Sequence, residues 1–148
     1  MAGISQLKFG KPSFWNSLKH TGKMMVACSN LKEVSEHDKL LSSDLKGQVK
    51  KTLVKNNKCN YCTVDGEPKL EKFDERTSIA VGFTEVFLKY PKGTGPDFAF
   101  EIIPDYEIEA LKKYFTEAEI SELCTFIGFT AAQQYFDAIM KLETMDFN

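Results

Sequence analysis

Leu41, Leu45, Val49 and Leu53 recur at every fourth position through LLSSDLKGQVKKTLV, and only an α-helix gathers such a set onto one face. Ser42 or Ser43 stands where a cap would begin that helix. A second stripe, Ile79, Phe83, Val86, Phe87 and Tyr90, ends at Pro91 and the following KGTGP, where proline can no longer continue the ladder. The C-terminal third opens with the capping-box pair Thr116 and Glu119, ahead of Ile120, Leu123, Cys124 and Ile127. Ala131, Tyr135, Ala138 and Leu142 extend this stripe, predicting one helix of about 25 residues, or two with a break near Gly128. An earlier helix is expected to start after Pro12 or Ser13 and run through PSFWNSLKHTGKMMVACSNL, and a short one to cover DYEIEALKKYF. Windows such as FAFEII are strand-like but brief and isolated. The chain therefore reads as all-α, without internal repeats or low-complexity tracts.

A length of 148 residues, 43% of them hydrophobic and 27% charged, suits a single domain over 1–148 with one core. The formal net charge of −2 speaks against nucleic acid as a partner, since binding to a phosphate backbone calls for concentrated Lys and Arg. The one basic run, Lys46 to Lys58, interleaves its lysines with Leu and Val and lacks stacking aromatics, so it reads as a solvated helix face. MAGISQLKFGKPSFW has no apolar core and no cleavage pattern, and no window approaches 18 apolar residues. The expectation is a cytoplasmic protein with no membrane partner. Four cysteines are too few for a disulfide-built scaffold.

Two of those cysteines, Cys59 and Cys62, stand three apart in KNNKCNYCTVDGEP. This spacing suits a redox dithiol, half of a zinc site, or simple packing. A pair at the start of a helix has a defined chemical use, because the dipole and free N–H groups lower the pKa of a thiol normally near 8.5. The second thiol then closes a disulfide within the same turn. A zinc site would need two more ligands from Cys28, Cys124, His20 and His37, none of which forms a second close pair.

The order of an amphipathic helix, the run NNKCNYC, a second long helix, an acidic linker and a capped apolar helix resembles the AhpD-like alkylhydroperoxidases of the carboxymuconolactone decarboxylase family. LKGQVKKTLVKNNKCNYC carries the resemblance, with GKPSFWNSLKH before it and FTEAEISELCTFIGF and AAQQYFDAIMKL after it. The resemblance implies an all-helical subunit assembling into trimers or hexamers. Its dithiol would reduce a peroxide or a partner disulfide without cofactor or metal and would exchange electrons with a thiol or disulfide protein. On this likeness the catalytic residues are Cys59 and Cys62. The family's Glu, twelve residues before the first cysteine, and its His, four after the second, correspond here to Gly47 and Gly66, and Tyr61 lies inside the pair. Loss of that proton relay implies weak peroxidase activity.

A rival from another class is a non-enzymatic oligomeric binding domain of the same fold, with its cysteine pair redox-inert or serving as a sensor. Gln48, which adjoins Gly47, cannot hold a charge, while Asp65, Glu67 and His37 can titrate and stand as replacements for the relay, although each also reads as an ordinary surface residue. Gly47 shares a seven-residue spacing with Leu40 and Val54, which suggests close helix approach there. Gly66, in VDGEP, reads as a turn residue. Cys28 and Cys124 sit in apolar stripes and are expected to be buried, and Phe14 and Trp15 to anchor the core or a subunit contact.

Overall fold

The computed structural model describes residues 21–37, 40–57, 67–89 and 103–140. These form five α-helices: α1 (Gly22–His37), α2 (Ser43–Asn57), α3 (Glu75–Lys89), α4 (Asp105–Lys112) and α5 (Glu117–Met140). A single 3₁₀ turn, Leu70–Lys72, precedes α3. The described residues contain no strand, so the fold is all-α. No described helix is long and apolar enough to cross a membrane.

α2 is the central element, packing most extensively against α3, then α5, and touching α1 as well. Its expected stripe is the core: Leu41, Leu45, Val49 and Leu53 are all buried. Burying four such side chains contributes on the order of 10 kcal/mol before chain entropy is counted. Ser42 is the cap, its hydroxyl accepting from the Leu45 N–H at 3.2 Å. Leu40 lies before the helix and is 52% exposed.

α3 and α5 begin with side-chain caps. The Asp74 carboxylate accepts the Thr77 N–H at 2.7 Å, and hydrogen bonding to Thr77 holds its carboxyl below the usual range. At α5 the capping box closes in both directions: the Thr116 N–H donates to Glu119 at 2.9 Å, and the Glu119 N–H to the Thr116 hydroxyl at 3.3 Å. α5 then runs unbroken through Gly128, which is exposed with open space around it. The break considered near that glycine does not occur.

Several expectations need correction. α1 extends six residues beyond Leu31 to His37, while its expected start near Pro12, together with Phe14 and Trp15, lies outside the described residues, as does Pro91 after α3. On α3 the fully buried positions are Ala80 and Thr84, with Thr77, Val81 and Phe83 also buried, whereas Ile79, Val86 and Phe87 are only half-buried. Small residues let helices approach closely, so the contact line is rotated away from the largest side chains. On α5, Phe126, Thr130 and Gln134 take core positions, while Cys124 and Tyr135 are exposed. The close approach expected at Gly47 is also absent, since a Cβ there would meet nothing within 4 Å.

The basic run is not uniformly solvated. Lys46 is buried, its side chain 3% exposed, and its ammonium pairs with Glu122 of α5, itself 15% exposed. The same carboxylate accepts the Leu41 N–H at 3.4 Å. Lys50 bridges to Glu36 of α1 at 3.2 Å, and Lys32 pairs with Glu36 at 3.4 Å. Burial alone would raise the Glu36 carboxyl, but Lys50 and Lys32 outweigh it and hold the group below its ordinary pKa. Arg76 of α3 meets Glu119 at 2.7 Å and lies 4.6 Å over the Phe115 ring, which ties α3 to the start of α5. Among the described residues of the run, Lys55 at the far end of α2 is exposed.

Removing one partner of a buried ion pair strands the other charge. Lys46→Met is therefore expected to cost about 3 kcal/mol in denaturant unfolding. Lys46→Met combined with Glu122→Leu should recover more than half of that loss. A single variant within about 0.5 kcal/mol of the parent would show the pair to be dispensable.

Candidate functional site

Cys59 and Cys62 lie outside the described residues, together with Asp65, Gly66 and His20. The chain is described up to Asn57 and again from Glu67, and these flanks define the anchors of the segment carrying Cys59 and Cys62. α2 ends at Asn57, two residues before Cys59. The chain is described again at Glu67, and α3 begins at Glu75. Among the described residues no helix N-terminus adjoins the pair, and the nearest described helix end along the chain is the C-terminus of α2.

The returning chain is fastened to the helix that led into the segment. Gln48 is buried, and its side-chain carbonyl accepts the backbone N–H of Lys69 at 2.9 Å. Glu67, considered as a replacement for the relay, instead meets Lys55 at 3.3 Å in an exposed pair. The chain described from Glu67 is thus fastened to the side of the helix that precedes residues 58–66. Exposed ion pairs contribute little, typically below about 1 kcal/mol, so the buried Gln48 contact is the stronger fastening.

Gln48 was visible in the sequence in one respect. Leu45, Gln48, Val49, Thr52 and Leu53 follow the i, i+3, i+4, i+7, i+8 pattern of one helix face. A glutamine on that face must find a partner when buried, and Lys69 supplies it. Thr52 meets the same demand locally, donating to the Gln48 backbone carbonyl at 2.8 Å. The Gln48 carboxamide is therefore engaged in holding the chain.

Gly47 offers no side chain, and the space around it is open. Among the described residues no three His, Cys, Asp or Glu side chains gather in a metal-binding group. Cys28 on α1 is half-buried and Cys124 on α5 is exposed, both as free thiols. Neither is the fully buried packing residue its stripe suggested. Desolvation by neighbouring groups nevertheless pushes the Cys124 thiol above its ordinary pKa, which lowers its thiolate fraction and reactivity near neutral pH.

No family model matches the chain, and no curated protein matches it significantly.

The Gln48 fastening gives a local prediction. A hydrogen bond of this kind is worth about 1 kcal/mol, close to a fivefold change in opening. Gln48→Leu should speed hydrogen exchange at the Lys69 amide about fivefold, whereas Gln48→Glu, which keeps an acceptor, should preserve protection. Equal exchange in the parent and the Leu variant would remove Gln48 from this role.

Proposed function

We propose that the chain is a thiol–disulfide oxidoreductase of AhpD-like type, using Cys59 and Cys62 as its redox pair. The observation that carries this reading is the Cys-X-X-Cys spacing within LKGQVKKTLVKNNKCNYC, in a segment whose two flanks are anchored on α2. The spacing allows both thiols to act on one substrate and then on each other. Cys28 and Cys124 belong to separate helices, and the raised pKa of Cys124 makes it a poor competitor.

With a protein disulfide as substrate, one thiolate attacks a sulfur, forms a mixed disulfide and expels the partner's other sulfur as thiolate. The second thiol, deprotonated, then attacks the mixed disulfide, leaving a Cys59–Cys62 disulfide and a fully reduced partner. With a peroxide, the attacking thiolate takes the distal oxygen, breaking the O–O bond and leaving a sulfenic acid and an alcohol or water. Condensation with the second thiol releases water. Each route moves two electrons from the pair, and a thiol protein must return them. No cofactor or metal enters either route.

Peptide mapping after mild peroxide treatment tests the assignment. Cys59 should be joined to Cys62, with Cys28 and Cys124 remaining free. A main disulfide containing Cys28 or Cys124 would overturn it.

Peroxide turnover is expected to be slow because Gly47 and Gly66 cannot serve as acid, base or shuttle, roles worth roughly 10²–10⁴-fold in rate. The open space at Gly47 makes the absent acid replaceable. Gly47→Glu should raise cysteine-dependent peroxide consumption at least about tenfold, and Cys59→Ser or Cys62→Ser should abolish catalytic turnover. Consumption that survives loss of both cysteines would exclude the mechanism.

The reading includes self-association into trimers or hexamers. Exposed Leu40 at one end of α2 and half-buried Val54 near the other support it, because apolar groups away from the core gain from burial. Light scattering should give a mass above 16.8 kDa, and a monodisperse monomer would count against this part of the proposal.

A further inference from the structure

We draw no further inference here: the strongest candidate, the exposed apolar side chains Met24, Leu31 and Val34 along the solvent-facing side of α1, has nothing in the structure to show what covers it.

Discussion

The dry face of α2 is the constraint on which the arrangement depends. Leu45, Val49 and Leu53 seat this helix against α3 and α5, and apolar contact alone would permit it to slide or turn. The buried Lys46–Glu122 pair removes that freedom, because an ammonium and a carboxylate taken out of water must stay together. Gln48, on the same face, adds a buried polar group whose partner, the Lys69 N–H, lies outside the helix. Burial supplies the stability of α2, and its polar residues fix its register.

That register reaches the cysteine segment through the chain itself. One anchor is the end of α2 and the other is Lys69 held on the side of α2, so the orientation of one helix sets both. On the proposed reading the pair gains from limited freedom, since a disulfide demands a narrow range of Cα separations and torsions. The chain that follows the segment is fastened to a buried side chain as well as through the exposed Lys55–Glu67 pair. On the proposed reading, Gly47 and Gly66 supply no proton relay, which would limit proton transfer but not disulfide exchange, since exchange needs only a thiolate and an accessible sulfur.

The helices were largely legible because their signals are local. The every-fourth spacing on α2 and the Thr116 and Glu119 box each act within one or two turns. The rotation of α3 onto Ala80 and Thr84 was not legible, since it depends on how closely another helix approaches. Lys46 read as solvated for a similar reason: its compensating charge comes from α5, far along the chain. Cys124 sat among apolar residues in sequence yet faces outward, because a stripe fixes a period but not the width of the buried arc. For the candidate site, the sequence supplied the cysteine spacing, while the anchoring by Gln48 required a contact between distant residues.

The reduction potential of the Cys59/Cys62 couple, obtained by equilibrating the intact protein in thiol–disulfide buffers and mapping the pair, bears most directly on this account. Exchange proteins lie between about −120 and −270 mV, whereas structural disulfides fall below about −300 mV. The account predicts a reversible two-electron transition within the exchange range. A couple well below that range, or thiols that never form the bond reversibly, would contradict it.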